Sequence, residues 1–213
     1  GRSGAKPTPA GEILYRGSRA ILEAYREVDN ELQDLGKVVN GVLRVSIVYS
    51  VGLHELPPYL KEYLRAYPEV NVHVEYSRAN KIYDAVISGM TDLGIVAYPM
   101  RHPQITIVPF REDRLVLVCP PDHAIATLRR ATVAKLTDQA FIAYERDIPP
   151  RKAIDQLFKQ HDATPRYVAE YDNIETIKRA VEIGQGLAIV PLPTVSHETR
   201  LGTLKVVQLA DVN

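Results

Sequence analysis

Several features that mark particular classes of protein are scarce or missing in this sequence. Cys119 is the one cysteine among 213 residues, so no disulfide forms within the chain and we expect a reducing compartment. Lysine and arginine together number 26, as do aspartate and glutamate, which leaves no formal net charge. Binding to duplex DNA depends largely on a basic excess that neutralises phosphates. The balance therefore indicates that this chain alone does not bind DNA.

Membrane-spanning segments and metal-binding patterns are also missing from the sequence. No apolar run approaches the ~20 residues that cross a bilayer, and the first residues lack a hydrophobic signal region. The six histidines are scattered, without the i, i+4 pairing of a helical metal site. We therefore expect a cytoplasmic protein without a membrane partner, a metal or a cofactor.

Motifs for catalysis and nucleotide binding are absent as well. The sequence contains no G-x-G-x-x-G, no Walker loop, no G-x-S-x-G and no H-E-x-x-H. Gly184-Gln185-Gly186 follows a predicted helix and precedes a predicted strand, so it predicts a helix end and a tight turn. Cys119 ends an apolar segment with no electropositive partner evident beside it, which favours a buried structural thiol over a nucleophile. We therefore predict that the protein is not an enzyme.

The first 40 residues predict one long helix. Thr8 can cap its start, Pro9 suits its first turn, and Gly36 would end it. Its apolar residues recur in steps of four and three, which is close to the heptad repeat of a coiled coil. A length of about 25 residues favours a contact with another subunit, whereas a helix packed on its own domain is the other interpretation. The residues assigned to this dimerisation seam are Leu14, Ile21, Tyr25, Val28, Leu32 and Leu35.

After Gly41 the hydrophobic pattern predicts alternating strands and helices, which is typical of α/β units with mainly parallel strands. Two sets of strand–helix units flank paired segments at 105–119, so we predict two Rossmann-like subdomains joined by crossing strands. The first comprises 41–118 with 195–213, and the second comprises 119–194. The predicted strands cover 42–49, 70–76, 93–98, 105–110, 115–119, 141–144, 167–171, 187–190 and 204–209.

The junctions between strands and helices predict a ligand site. In open α/β sheets, ligands bind outside the carboxyl ends of the strands, near helix N-termini that supply unpaired amides. We therefore predict a small carboxylated effector between the subdomains, with Arg146 available to pair with its carboxylate. Each junction by itself is also explained as an ordinary cap or turn, and Arg146 equally as a solvated loop charge. The predicted site residues are Ser50, Val51, Ala79, Asn80, Ala97, Tyr98, Arg146, Pro150 and Asn173.

Five stretches, in order along residues 6–191, resemble the LysR-type transcriptional regulators. Each motif alone is weak, but five in order are specific. Three of the stretches are similar to written patterns of the family: KPTPAGE at 6–12 to L-T-x-A-G, ISGMTDLGI at 87–95 to L-x-x-G-x-x-D-L-x-I, and VEIGQGLAIVP at 181–191 to V-x-x-G-x-G-I-x-x-L-P. The other two are GVLRVSI at 41–47, followed by Leu56-Pro57, and LVLV at 115–118, followed by PDH at 121–123.

The resemblance implies an effector domain with a type 2 periplasmic-binding-protein-like fold, preceded by a linker helix. It also implies a homodimer or homotetramer that contacts DNA through an N-terminal helix-turn-helix domain. On this basis the chain would begin at the end of that domain's wing, and it would stop short of a final helix. Ala79 and Ala97 depart from the polar residues that relatives place there, which leaves the identity of the effector open. A solute-binding receptor of a transport system is the alternative, although the long first helix argues against it.

Asp92 lies in the sharpest of these motifs. It follows a helix-end turn and precedes a strand, where a side-chain acceptor can satisfy turn amides. We therefore predict that Asp92 has a structural role and not a ligand-binding one.

Overall fold

A computed structural model describes residues 7–35 and 39–212. One compact unit holds the first helix together with residues 64–71, and the other holds residues 43–63 and 72–212. Across the described residues, no helix combines the length and apolar character needed to cross a membrane. The same residues contain no cluster of His, Cys, Asp and Glu side chains that would hold a metal ion.

Helix α1 spans Pro9–Leu35 and confirms the predicted long helix. The Thr8 hydroxyl accepts a hydrogen bond from the Gly11 amide at 3.1 Å, which caps the first turn. Four side chains of the predicted seam expose more than half of their surface: Leu14, Ile21, Tyr25 and Val28. The side chains of Leu32 and Leu35 lie outside the described part of the chain. The dimerisation role of this seam stays a prediction.

The first subdomain is built on a three-stranded sheet in the order β2-β1-β3. Its elements are β1 (Gly41–Ile47), α2 (Tyr49–His54), α3 (Leu56–Ala66), β2 (Val70–Tyr76), α4 (Ala79–Ile87) and β3 (Leu93–Ile95). Strands β1 and β3 run parallel, with Ser46 opposite Gly94. A Cβ on Gly94 would lie 2.7 Å from Ile82 Cγ2, so glycine allows α4 to pack tightly on this sheet.

Asp92 joins the start of β3 to the neighbouring strand. Its Oδ2 accepts a hydrogen bond from the Arg44 amide at 2.8 Å, and its own amide donates to the Arg44 carbonyl at 2.9 Å. The partner is therefore in β1 and not in the turn before β3, where the sequence placed it. The turn itself is held by other contacts, because the Met90 and Thr91 amides both donate to the Ala85 carbonyl.

The strands after residue 114, which we group from here on as the second subdomain, form a mixed sheet in the order β5-β9-β4-β8 and a parallel pair, β6-β7. Its elements are β4 (Leu115–Cys119), β5 (Arg130–Ala131), β6 (Ala140–Tyr144), α5 (Pro149–Gln160), β7 (Arg166–Tyr171), α6 (Ile174–Glu182), β8 (Ala188–Pro191), α7 (Ser196–Leu201) and β9 (Lys205–Leu209). Strand β4 is antiparallel to both β8 and β9. A bridge between Phe141 and Leu187 connects β6 to the segment that enters β8.

One prediction about the crossing strands differs from the structure. Residues 105–110 do not form a strand, and only Ile105 makes an isolated bridge, to His102. Val108 is 78% exposed and Pro109 offers no amide, so this apolar stretch gains neither a buried face nor a full ladder. The predicted grouping of 195–213 with 41–118 stays a prediction, because β9 is bonded both to β4, most of which lies within 41–118, and to β5, which lies within 119–194.

The main core lies in the second subdomain. Val116, Leu117 and Val118 of β4 are almost fully buried, and Phe141 packs edge-on against Phe158 with ring centroids 5.1 Å apart. Cys119 is fully buried at the end of β4, as the sequence predicted. Burial raises the pKa of its thiol to about 11, which keeps the thiol protonated and unreactive at neutral pH.

The Gly-Gln-Gly segment forms the predicted helix end and turn. Gly184 has a φ of 78°, in the left-handed region, and its amide donates to the Val181 carbonyl at the end of α6. Gly186 serves a different purpose, because a Cβ there would lie 2.8 Å from the Ala140 carbonyl oxygen. Its lack of a side chain lets the chain approach β6 closely before β8 begins.

Candidate functional site

A partly open cavity of about 640 Å³ is lined by elements of both subdomains, all within residues 43–63 and 72–212. Its walls include the first turn of α2, the segment after β3, the last residue of β6, the first turn of α5 and the irregular residues 105–111. The ends of β1, β3 and β6 that reach the cavity are carboxyl ends, which is where open α/β sheets bind ligands.

The structure brings five of the predicted site residues to this cavity: Ser50, Val51, Ala97, Tyr98 and Pro150. Ser50 and Val51 lie in the first turn of α2, directly after β1. The turn packs tightly because Gly52 has no side chain; a Cβ there would lie 2.5 Å from a ring carbon of Tyr76. First-turn amides have no partner inside a helix, so this turn presents donors beside the Ser50 hydroxyl.

Two phenols reach the cavity from opposite subdomains. Tyr98 follows β3 and has a φ of 53°, a conformation that few non-glycine residues adopt. Burial is the main cause that raises the pKa of Tyr98, and the negative charge of Asp113 raises it further. Tyr144 ends β6 and is nearly buried, and this burial raises the pKa of Tyr144 well above its ordinary value. Both hydroxyls therefore stay protonated at neutral pH and are available to donate hydrogen bonds.

Tyr144 lines the cavity in addition to the five residues above, and its position depends on a buried arginine. Arg151 in α5 is 5% exposed, and its Nη1 donates to the Tyr144 carbonyl at 2.7 Å and to Glu170 at 2.8 Å. Its Nε also bonds Asp155 at 2.9 Å. The arginine thus fixes the end of β6. Asp155 lies four residues along the same helix, but Glu170 lies in β7, so sequence spacing reveals only the Arg151–Asp155 pair and not the whole cluster.

The charged groups of the cavity wall are paired with one another. Arg111 is the sole cation among the described lining residues, and its guanidinium donates to Glu55 Oε2 and lies 3.7 Å from Asp113. Glu55 is 6% exposed, and its other carboxylate oxygen has no hydrogen-bond partner in the described part of the chain. An anionic ligand in this cavity would therefore be bound by hydroxyl and amide donors and not by a free side-chain cation.

The other four predicted site residues, Ala79, Asn80, Arg146 and Asn173, do not line the cavity. Ala79 and Asn80 begin α4. The Arg146 side chain is 85% exposed and lies 3.9 Å from Glu170. This exposure agrees with the alternative interpretation of Arg146 as a solvated loop charge. Asn173 is a helix cap, because its Oδ1 accepts a hydrogen bond from the Thr176 amide at 3.0 Å.

Residues 36–213 match the family model described as the LysR substrate binding domain. This match covers more than half of the chain. The chain belongs to the LysR substrate-binding domain family. The resemblance in the sequence motifs is therefore confirmed.

Relatives of this LysR domain are transcriptional regulators. The RuBisCO operon transcriptional regulator of Allochromatium vinosum is 28% identical over 93% of this chain and 67% of its own length. The "Probable RuBisCO transcriptional regulator" of Cyanophora paradoxa is 30% identical over 95% of this chain and 65% of its own length. The chain thus spans about two thirds of the length of these relatives.

A solved LysR-type domain confirms the fold. The CcmR regulatory domain of Synechocystis PCC6803, whose structure is in complex with 2-PG, is 25% identical to this chain. The two superpose with a TM-score of 0.73 over 81% of this chain and 83% of that domain. The mixed α/β architecture is the type 2 periplasmic-binding-protein-like fold that the sequence predicted.

Proposed function

We propose that this LysR effector-binding region senses a small molecule in the 640 Å³ cavity and passes the signal to DNA within a larger cytoplasmic regulator. The observation that carries this proposal is the placement of the cavity at strand carboxyl ends, with donors from both subdomains around it. A ligand that touches both walls changes the relative stability of their arrangements, which is how binding alters a partner domain. The role is one of binding and not catalysis, since the relatives are regulators.

The donors favour a ligand rich in hydrogen-bond acceptors, such as a carboxylate or a phosphate ester. Ser50, Tyr98, Tyr144 and the α2 amides each offer an N–H or O–H group. The CcmR regulatory domain was solved in complex with 2-PG, so 2-PG is the first probe to use.

Thermal unfolding with and without 2-PG tests this site. We expect a rise in midpoint temperature for the wild type, because a ligand that binds only the folded state stabilises it. Ser50→Leu places an apolar side chain in the cavity and should abolish the rise. Ser196→Leu is the matched control, since Ser196 is exposed and outside the cavity. A rise that persists in Ser50→Leu would place the pocket elsewhere, and no rise with 2-PG or a panel of small carboxylates would contradict an acidic effector.

The exposed apolar side chains of helix α1 support the proposal that the protein forms a dimer or tetramer. Ile21 is 71% and Val28 54% exposed, and they lie one heptad apart on one face. Replacing both with Glu places charges on this face and should lower the solution mass measured by light scattering. Ala20→Glu is the control, because Ala20 is also exposed but points about 100° away around the helix. An unchanged mass in the double variant, with the fold intact by circular dichroism, would exclude α1 as the contact.

A further inference from the structure

Arg78 connects the two subdomains at the carboxyl ends of three strands. It lies between β2 and α4 in the first subdomain, as the N-cap residue of α4. Its Nη2 donates to Asp172 at 2.9 Å and to Glu145 at 3.2 Å, and its Nη1 donates to Asp147 at 3.2 Å. Glu145 and Asp147 follow β6 and Asp172 follows β7, so every one of these bonds crosses from one subdomain to the other.

The charges of this group depend on one another. One guanidinium faces three carboxylates, and the fork of N–H donors in arginine can engage several acceptors at once. The hydrogen bond from Arg78 is the main cause of a lowered pKa at Asp172. Each exposed pair alone contributes little, since the four side chains are 41–68% exposed. Without Arg78, however, three carboxylates would face the first subdomain with no counter-charge.

The connection between the subdomains permits a change in their separation. Residues 106–114, which lead from the first subdomain into β4, form neither helix nor strand. A second cross-link, between His54 Nε2 in α2 and Glu175 Oε1 in α6 at 2.8 Å, involves an imidazole that is 17% exposed. Of these two described links, Arg78 makes the more solvent-accessible one, and dissolved salt screens it more strongly.

We propose that Arg78 is an electrostatic latch that holds the two walls of the cavity together in the ligand-free protein. The latch regulates access to the cavity, which rests on the proposed function of that cavity as the effector site. Loss of the latch shifts the ligand-free protein toward arrangements in which the subdomains lie farther apart. High salt has the same effect on the wild type, because the screening length falls to about 3 Å at 1 M.

The distance between two spin labels, measured by pulsed electron paramagnetic resonance, tests this latch. Exposed Lys61 in α3 and Gln156 in α5 are replaced with Cys for labelling, while buried Cys119 stays unlabelled. In low salt we expect Arg78→Gln to shift the distance distribution to longer values than the wild type. At 1 M salt the wild type should approach the variant, whereas the variant should change little.

The controls separate a latch from a general loss of surface charge. Arg179→Gln removes an exposed arginine that bonds Glu182 within α6, at 2.6 Å, and should leave the distances unchanged. Arg78→Lys keeps the positive charge and should keep distances close to those of the wild type. Equal distances in wild type and Arg78→Gln at low salt, or a salt response that survives in the variant, would overturn the proposal.

A folding check and a second variant keep the result interpretable. Arg78→Gln should retain the circular dichroism of the wild type, and if it does not, Glu145→Gln with Asp147→Asn and Asp172→Asn removes the latch from its other side. These measurements use neither effector nor DNA. A negative result in the distance measurements would therefore not contradict the proposed function. A negative result in the ligand test would not contradict the role of Arg78 in holding the subdomains together.

Discussion

The largest expected effect of a single polar substitution is at Lys178. Its side chain is 1% exposed, and its ammonium lies 2.9 Å from Glu175, 2.9 Å from Glu198 and 2.9 Å from the Thr194 carbonyl. Lys178→Met keeps the length of the side chain but removes the charge. Breaking a buried ion pair from one side typically costs about 3–5 kcal/mol, because the remaining charge stays buried without compensation.

The surroundings of the two carboxylates refine this figure. The Glu198 side chain is 3% exposed, and one of its oxygens has no hydrogen-bond partner in the described part of the chain. Without Lys178, the Glu198 carboxylate would therefore carry the full free-energy cost of an uncompensated buried charge. Glu175 is 35% exposed and also bonds His54, so water and the imidazole would relieve it. We therefore expect the free energy of unfolding to fall by about 3 kcal/mol, near the lower end of the range.

Urea unfolding followed by circular dichroism measures this loss. Arg179→Met is the matched control on the adjacent residue, because the Arg179 side chain is 64% exposed and its pair with Glu182 should contribute less than about 1 kcal/mol. Adding Glu198→Gln to Lys178→Met removes the stranded charge and should recover part of the loss. A cost below about 1 kcal/mol for Lys178→Met, or one equal to that of Arg179→Met, would refute the reasoning.

Three further predictions follow from the packing and hydrogen bonds of the domain. Gly186→Ala forces a Cβ against the Ala140 carbonyl and should cost about 1–3 kcal/mol in urea unfolding; an unchanged midpoint would exclude the clash. Asp92→Ala removes the acceptor of the Arg44 amide and should cost about 1 kcal/mol while the folded protein keeps its ligand affinity; lost affinity at unchanged stability would contradict a structural role. Lys178 pairs with Glu175, which is partly buried, and with Glu198, which is almost fully buried; burial raises the pKa of each carboxylate, but the hydrogen bonds they accept outweigh burial and leave each pKa below its ordinary value. Their contribution is therefore present above the ordinary carboxyl pKa and lost as pH falls through the lowered values, so the stability gap between wild type and Lys178→Met should narrow on acidification; a constant gap would contradict this.

The sequence predicted those parts of the site that depend on local order along the chain. Ser50, Ala97 and Pro150 reach the cavity because each stands at or near the end of a strand, and hydrophobic periodicity locates strand ends. The same rule does not bring Asn173 to the cavity, because its side chain caps the helix that follows its strand. A polar residue at such a junction has both options, and periodicity does not distinguish them.

The residues that the sequence did not identify act through partners far along the chain. Arg78 contacts Asp172 only after the two subdomains have packed together. Lys178 contacts Glu198 only after helices α6 and α7 have packed within the second subdomain. Charge spacing along one helix reveals neither contact. The strand predicted at 105–110 failed for a related reason, since an apolar run becomes a strand only where a neighbouring strand offers it a ladder.

The position of β9 in its sheet has a consequence for synthesis on the ribosome. Strand β9 lies between β5 and β4, so Val116 in β4 pairs with Gln208 near the other end of the described chain. At translation rates of about 5–20 residues per second, the apolar β4 segment waits several seconds for this partner. Such long-range pairing also slows folding, because the chain must close a large loop before the contacts form. The β4 edge that pairs with β9 therefore stays open in the nascent chain until β9 emerges, and an unpaired apolar strand edge of this kind is prone to aggregation.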